Sequence, residues 1–422
     1  MRKTVEKVTR KRPWYRTSPW RVIRTVIGGF LILQILTAVG LIIISSLRRR
    51  HKQGATFPHL PLDEIQVQDN CLQLYSYGQE LFDAMLEAID NAKESIYLET
   101  YIWKDDAVGQ AFKKRLAQKA AEGIQVYVIF DDFGNLVVPR AFKVFPPEIH
   151  AMKYQIVRNL IEILDLRRYA LDHRKLLIVD GQIGFIGGYN LGQLYATSWR
   201  DTHLRVAGPA AADLAQSFVD FWNRYQVNND RITHRYSRRF DPGIMLHEND
   251  ALRLTFPIRD MYIEAIDRAS HFILLTNAYF APDHILLDSL KAAAQRGVDV
   301  RILVPAVSNH VLVDWISHGY FSECLDGGIR VFLYRYSMLH AKTCTIDGQW
   351  STIGTANLDR LSSIGNFEIN VEIYSNALAR QMQVLFENDT AELLEVTPEI
   401  WSRRPWYTKL SERILAPWRF MM

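Results

Sequence analysis

The sequence predicts an α/β protein made of two duplicated halves that follow a single transmembrane helix. Three observations support this fold class: an uncharged apolar segment near the N-terminus, a strand–helix–strand pattern that occurs twice, and a histidine–lysine motif that recurs 167 residues further along the chain. A chain of 422 residues is long enough for two domains, each with its own hydrophobic core.

The uncharged segment is residues 25–47, TVIGGFLILQILTAVGLIIISSL. A helix of 23 residues spans the roughly 30 Å hydrocarbon core of a bilayer. Trp14, Tyr15 and Trp20 suit the adjoining interface, and a cleaved signal peptide is disfavoured because the preceding segment is long. Nine Lys and Arg residues precede the segment and only four follow it closely, a bias that favours a cytoplasmic N-terminus and an extracytoplasmic catalytic part.

The charge of the chain is divided unevenly. Residues 1–52 carry a formal charge of +12 and the remainder carries −8. An acidic globular part argues against a nucleic-acid-binding protein, which needs basic surface for phosphate contacts. The three cysteines, Cys71, Cys324 and Cys344, lie far apart and form no disulfide or zinc pattern, so we expect buried small side chains.

The strand–helix–strand pattern locates the two halves. The first series is a helix around 81–89, a strand from Ser95, a helix around 108–122 and the buried strand IQVYVIF. The second series is a strand formed by 272–276 with Tyr279 and Phe280, a helix at 286–295 and the strand VDVRILVP. The two series are offset by about 174–177 residues, which indicates duplication. We divide the chain into a basic tail (1–24), a transmembrane helix (25–47), a linker (48–69), a first half (70–227), a second linker (228–250) and a second half (251–422).

The strongest signal is a pair of segments, HRKLLIVDGQIGFIGGYN and HAKTCTIDGQWSTIGTAN. Both contain His-x-Lys-x4-Asp, followed by a glycine and an asparagine. The matched pairs, all 167 residues apart, are His173 with His340, Lys175 with Lys342, Asp180 with Asp347, Gly187 with Gly354, Asn190 with Asn357, and Asp201 with Glu368. Two copies in one register are not plausibly accidental.

These residue types indicate phosphoryl transfer. On a strand, His-x-Lys places both side chains on one face, while the intervening Arg174 and Ala341 point away. Two copies facing each other supply two lysine charges and two asparagine amides for a phosphate. One histidine would attack phosphorus and the other would protonate the leaving oxygen. With no acidic cluster to hold a divalent ion, we expect chemistry without a metal or other cofactor.

The predicted catalytic set is His173, Lys175, Asp180, His340, Lys342 and Asp347. Asp180 and Asp347 are expected to hold the motif more than to carry protons. Asp201 and Glu368 would fix the tautomer and orientation of the histidines, and the sequence leaves open which acid serves which ring.

Other residues carry weaker signals. His203 is expected in the core or in support of the site, and Tyr101, Trp103, Tyr279 and Phe280 either pack in the core or line a lipid groove. The C-terminal segment, rich in Trp and Arg, is either an interfacial element or a helix that closes the core.

The doubled motif resembles that of the phospholipase D superfamily. Over residues 70–422, YLETYIWKDDAVG, WRDTHLRVAGP, LHAKTCTIDGQWSTIGTANLD and NFEINVEIY are similar to segments of bacterial cardiolipin synthases. The resemblance implies that each half is a mixed β-sheet flanked by helices, with the site between the halves. It also implies phosphatidyl transfer between two phosphatidylglycerol molecules at the membrane, with release of glycerol.

The resemblance further implies residue roles. His173 would form a phosphohistidine and His340 would act as general acid. Asn190 and Asn357 would bind substrate together with Gly188 and Thr355, which occupy positions where the family commonly has serine. The chain departs from the family in two ways. It has one transmembrane helix where members often have two, and Arg360 lies one position earlier than the arginine that usually follows the asparagine of the second motif.

Three other functions are considered. A hydrolytic phospholipase D would use identical residues and differ only in admitting water. A membrane-anchored nuclease conflicts with the acidic globular part. A scaffold without activity conflicts with two intact motifs.

Overall fold

The computed structural model describes residues 19–49, 57–156, 165–227, 229–237 and 242–417. Each half forms an eight-stranded sheet flanked by helices, as the fold-class prediction required. Residues 1–18 of the predicted basic tail (1–24) lie outside the described residues, and residues 19–24 belong to the N-terminal helix.

The N-terminal helix and the first half have the following elements. Helix α1 covers Pro19–Arg49 and includes the predicted span 25–47. The strands are β1 (Ile65–Val67), β2 (Asn70–Tyr75), β3 (Ser95–Thr100), β4 (Gln125–Asp131), β5 (Ile149–Tyr154), β6 (Leu176–Val179), β7 (Ile183–Gly187), β8 (Trp199–Arg200) and β9 (His203–Ala207). The helices are α2 (Gly78–Asp90), α3 (Ala107–Ala121), α4 (Gln193–Thr197) and α5 (Ala210–Tyr225).

The second half repeats this order. Its strands are β10 (Ile244–Asn249), β11 (Phe272–Asn277), β12 (Asp299–Pro305), β13 (Arg330–Tyr334), β14 (Met338–Leu339), β15 (Lys342–Ile346), β16 (Trp350–Gly354), β17 (Glu368–Tyr374) and β18 (Glu395–Val396). Its helices are α6 (Pro257–Arg268), α7 (His284–Gln295), α8 (Val311–Asp326), α9 (Arg360–Ile364), α10 (Asn376–Thr390), α11 (Pro398–Ser402) and α12 (Trp406–Leu415).

The strand orders of the two sheets are β1-β2-β9-β7-β6-β3-β4-β5 and β10-β17-β16-β15-β11-β12-β13-β18, and they match over seven strands, with β1 and β18 as additional edge strands. In each sheet three neighbouring strands are parallel, β3-β4-β5 and β11-β12-β13, and the other pairs are antiparallel. Helices α3 and α7 begin at aspartate N-caps, since Asp106 accepts from Gly109 N and Asp283 accepts from Ile285 N and Leu286 N. The duplication seen in the sequence is therefore a duplication of topology.

Strands β1 and β10 lie within the segments that the sequence assigned to linkers. Strand β10 pairs with β17 over six residues although its own sequence, IMLHEN, ends in polar residues. Both are edge strands, so their stability comes from the partner strand more than from an apolar pattern of their own. Tyr279 and Phe280, placed on a strand by the sequence, instead follow β11 directly.

The core between the two sheets is shared by both halves. Phe218 and Trp222 of α5 belong to one buried cluster with Ile178 of the first sheet and with Phe367 and Val371 of the second half. Tyr97 stacks on Phe218 with ring centroids 4.9 Å apart. A continuous apolar core of this kind fixes the two halves relative to each other.

Helix α1 packs against α8 and α12 of the second half. Gln34 Nε2 donates to the Ile414 carbonyl at 3.0 Å, and Gln34 is itself buried. Trp406 and Tyr407, at the start of α12, are 74% and 51% exposed. The C-terminal helix thus packs on α1 and α8 and presents aromatic side chains outward, and its interfacial role stays a prediction.

Candidate active site

Two short backbone bridges connect the halves at the site. β8 pairs in parallel with β14, and Asp172 pairs in the same manner with Phe367. These bridges are related by the 167-residue repeat. They place the main chain of each histidine against the other half of the molecule, because His340 N donates to Arg200 O at 2.7 Å and His173 N donates to Phe367 O at 3.1 Å.

The two histidines pair with acids across the interface between halves. His173 Nδ1 lies 2.9 and 3.0 Å from the two carboxylate oxygens of Glu368. His340 Nδ1 lies 2.6 Å from Asp201 Oδ2. Each half therefore supplies a histidine to one pair and an acid to the other, which answers the question the sequence left open.

The motif lysines lie beside their histidines and are fully buried. Lys175 Nζ donates to the His173 carbonyl at 2.5 Å, and Lys342 Nζ donates in the same manner to the His340 carbonyl. Strand β6 begins one residue after Lys175 and β15 begins at Lys342, so the histidines lie on extended segments ahead of the strands. Arg174 points away as expected, with its guanidinium 3.2 Å from Glu99.

Burial and the paired lysines set the ionisation of the histidines. Burial, reinforced by Lys175 and Lys342, lowers the pKa of His173 well below its usual value. The pKa of His340 is lowered by burial and by the same lysines. A neutral ring that donates from Nδ1 to a carboxylate keeps its Nε2 lone pair for a reacting atom. Both histidines are thus neutral before substrate binds, and each ring can accept a proton or attack phosphorus.

Burial also shifts the other charged groups of the site. It lowers the pKa of Lys175 to about 7 and that of Lys342 to about 8. It raises the pKa of Asp201 to about 6 and that of Glu368 to about 8. Such shifts, together in one enclosed cluster, are typical of catalytic sites.

Gly188 and Thr355 contact the acids of the two pairs. The Thr355 hydroxyl donates to Glu368 Oε2 at 2.6 Å and accepts from Ile369 N at 2.9 Å. A Cβ at Gly188 would overlap both carboxylate oxygens of Asp201. Both positions lie beside the acids of the histidine pairs, and their predicted role in binding substrate stays a prediction.

The two motif asparagines have different surroundings. Asn190 Oδ1 accepts from Ile102 N at 3.1 Å, so this amide is oriented by the main chain that follows β3. Asn357 Oδ1 is buried and has no hydrogen-bond partner among the described residues. The amide of Asn357 is therefore the one with a polar atom still to be satisfied.

Asp180 and Asp347 bind main chain rather than the histidines. Both have positive φ, +54° and +53°, at the turn after their strands. Asp180 accepts from the amides of residues 93–95 at 2.8–2.9 Å, and Asp347 accepts from those of residues 270–272 at 2.8 Å. They tie the motif turn to the start of β3 or β11, and the holding role expected for them stays a prediction.

The four aromatic candidates divide into two groups. Trp103 and Phe280 are buried in the core. Tyr101 and Tyr279 pack against the histidines instead, with ring centroids 4.9 Å from His173 and 6.0 Å from His340.

His203 is buried, and neither ring nitrogen has a hydrogen-bond partner among the described residues. Burial lowers its pKa to about 3. It is therefore a neutral core residue, one of the two roles expected for it.

Sequence reasoning missed a buried ion pair that supports the second histidine. Arg200 is hydrogen-bonded to Asp389 of α10 at 2.6 and 3.2 Å, and it donates to the Asp201 carbonyl at 2.5 Å. The position that matches Arg200 in the repeat is Phe367, so the duplication gave no signal. The adjacency of Arg200 to Asp201 was the only clue.

Comparison with known proteins shows the family of the chain. A family model described as "Cardiolipin synthase, PLD-like domain" matches residues 85–222 and 262–390. The cardiolipin synthase of Listeria monocytogenes serotype 4a is 33% identical over 372 residues, which cover 84% of this chain and 76% of that protein. The cardiolipin synthase of Staphylococcus aureus strain Mu50 is 33% identical over 362 residues, 82% of this chain and 72% of that protein.

A solved structure supports the fold. The phosphatidylserine synthase of Haemophilus influenzae Rd KW20 superposes with a TM-score of 0.62 at 14% identity, over 86% of this chain and 95% of that chain. The matched family model covers both halves and the curated relatives cover most of the chain. The chain is thus a phospholipid phosphatidyltransferase and belongs to the cardiolipin synthase family, built on a duplicated phospholipase D-like domain.

Proposed function

We propose that this protein is a membrane-anchored cardiolipin synthase that joins two phosphatidylglycerol molecules through a phosphohistidine intermediate and releases glycerol. The observation that carries this proposal is the pair of crossed contacts, His173 with Glu368 and His340 with Asp201, flanked by two buried lysines.

In the first step His173 Nε2 attacks phosphorus of one phosphatidylglycerol. The P–N bond forms while the P–O bond to the glycerol headgroup breaks, and His340 gives its proton to the departing oxygen. Glu368 accepts the Nδ1 hydrogen of His173 and stabilises the positive charge that develops on the ring. The negative phosphodiester offsets the lysine charges, which favours protonated His340 in the complex.

In the second step the free hydroxyl of another phosphatidylglycerol attacks the phosphohistidine. Its proton passes to His340, the P–N bond breaks, and cardiolipin forms. Lys175 and Lys342 balance the phosphate charge in both steps, and the unpaired amide oxygen of Asn357 would accept a hydrogen bond from a lipid hydroxyl. Hydrolysis competes only where water reaches the phosphohistidine.

Helix α1 supports the anchoring part of the proposal. Among the described residues, this helix alone is long and apolar enough to span a bilayer, over Trp20–Thr37. The excess of basic residues before it favours an extracytoplasmic catalytic part.

A product assay tests the proposal. The purified full chain would receive phosphatidylglycerol, labelled at phosphorus, in detergent micelles. We expect cardiolipin, glycerol and an acid-labile label on the protein, all lost in His173→Ala and retained in a matched control at the exposed His234, His234→Ala. Phosphatidic acid in place of cardiolipin would replace the transferase proposal with a hydrolase. A full rate without the protein label would refute the covalent intermediate.

A further inference from the structure

The connection between β4 and β5, residues 132–148, exposes a group of apolar side chains. Phe133, Leu136, Val137 and Val144 are 51%, 64%, 83% and 68% exposed. Four large apolar side chains on one short connection exceed what a water-facing loop requires and mark an interaction surface. We call residues 132–148 the β4–β5 loop.

The β4–β5 loop is held in place at the rim of the active site. Asn135 Oδ1 accepts from Trp103 N at 2.8 Å, and Asn135 Nδ2 donates to the Tyr101 carbonyl at 2.9 Å. Tyr101 packs on the His173 ring. Lys113 Nζ donates to the Val144 carbonyl at 2.7 Å from the other side. The exposed apolar residues therefore belong to a fixed surface beside the nucleophile.

Basic side chains line a groove beside this apolar surface, while Glu148 is an exposed acid at the end of the loop. A groove of about 580 Å³ is lined by Arg140, Lys143 and Lys153 together with apolar residues that include Leu136 and Val138. Asp132 is the acid in this lining, 3.3 Å from Lys153. The lining thus carries a net charge of +2, whereas residues 53–422 as a whole carry −8. Basic residues around exposed apolar ones complement a bilayer with anionic headgroups.

The duplicated topology relates this loop to the anchor. Strands β4 and β5 correspond to β12 and β13, so the β4–β5 loop corresponds to the connection that contains α8. Helix α8 packs against α1, the candidate membrane span. Both connections leave the carboxyl ends of equivalent parallel strands, where Tyr101 and Tyr279 approach the two histidines. The β4–β5 loop is thus the first-half counterpart of the connection through which the second half contacts α1.

We propose that the β4–β5 loop is a second membrane contact that docks on an anionic phospholipid bilayer. Phe133, Leu136, Val137 and Val144 enter the interface while Arg140 and Lys143 bind lipid phosphates. With α1 on one side and this loop on the other, the mouth of the active site faces the lipid surface. This inference rests on the membrane anchoring in the proposed function.

Depth-dependent quenching tests the inference in the full chain. A bimane or NBD probe on Val137→Cys, in a Cys71→Ser background, would be measured in vesicles containing phosphatidylglycerol with brominated acyl chains. We expect at least about twofold quenching, compared with little at Val384→Cys on α10, which is 45% exposed. Equal quenching at the two positions would overturn the inference. The readout needs no turnover, so the inactive His173→Ala protein should give the same result and separates this test from the enzymatic one.

The preference of the β4–β5 loop for anionic lipid is tested separately. Arg140 is exposed. In Arg140→Gln, or in vesicles of phosphatidylcholine alone with the same content of brominated acyl chains, we expect quenching at position 137 to fall by about half or more. Unchanged quenching in both cases would refute the preference for anionic lipid.

Discussion

At the residue scale, the length of the acidic side chain in each histidine pair corresponds to the size of the residue that contacts it. The short Asp201 lies against Gly188, where no side chain takes up space, and the longer Glu368 receives the hydroxyl of Thr355. The first half thus combines a glycine, which has no hydroxyl, with the shorter acid, and the second half combines a threonine with the longer one. Both solutions hold a carboxylate on a histidine Nδ1, and they do so with different contacts.

This coupling predicts that Gly188→Ala disables the enzyme. The added methyl would overlap the Asp201 carboxylate and move it from His340, so we expect the turnover rate to fall by about 10²-fold or more. Gly184→Ala on β7, the strand that ends just before Gly188, is the control, since a Cβ there meets mainly the movable Leu214 Cδ1, at 2.6 Å. Similar losses in both variants would mean that strand packing, not the acid, is responsible.

The lysines predict a pH dependence of substrate capture. With pKa values of about 7 for Lys175 and about 8 for Lys342, both are charged below those values and neutral above them. We therefore expect kcat/KM for an anionic lipid to fall as the pH rises from about 7 to 9. Lys342→Arg keeps its charge, so the part of the fall near pH 8 should disappear and only the part due to Lys175, near pH 7, should remain, whereas Lys114→Arg on the surface should leave the profile unchanged. A profile that is identical in all three proteins would contradict this explanation.

At the element scale, regular local patterns were predictable and pairing across space was not. Helix α3 and strand β4 follow from helical spacing and an apolar run, and the motif turns follow from the repeated Asp-Gly. Strands β1 and β10 were assigned to linkers because edge strands are short and depend on their partners. The crossing of Asp201 to His340 depends on the bridge between β8 and β14, which no local pattern encodes.

The contact between α1 and α12 gives a prediction about an element. Gln34→Leu removes the donor to the Ile414 carbonyl, which we expect to weaken docking of α12 by about 1 kcal/mol. Limited proteolysis within 403–417 in detergent should become several times faster. Thr37→Val is the matched control, because among the described residues the Thr37 hydroxyl bonds within α1, to the Leu33 carbonyl. Equal proteolysis of the two variants would show that Gln34 does not secure the C-terminal helix.

At the scale of the whole molecule, each histidine pair is complete only when the halves are docked. The shared core around Phe218 and Phe367 fixes that docking, and the buried pair of Arg200 and Asp389 adds a polar connection beside the second histidine. Relative movement of the halves would lengthen both acid–histidine contacts together. Stability of the interface and activity should therefore be linked in this enzyme.

This link can be tested at the buried ion pair. Asp389→Asn leaves the Arg200 charge buried without its partner, so we expect a loss of about 3 kcal/mol in unfolding free energy together with reduced turnover. Combining Arg200→Met with Asp389→Leu removes both charges and should restore much of the stability, though less of the activity, because Arg200 also supports the Asp201 main chain. Thermal unfolding and the product assay would be compared with Glu264→Gln, which breaks an exposed pair and should cost under about 1 kcal/mol. A large loss of stability in Asp389→Asn with turnover unchanged would separate docking of the halves from alignment of the histidines, against the view that the interface builds the site.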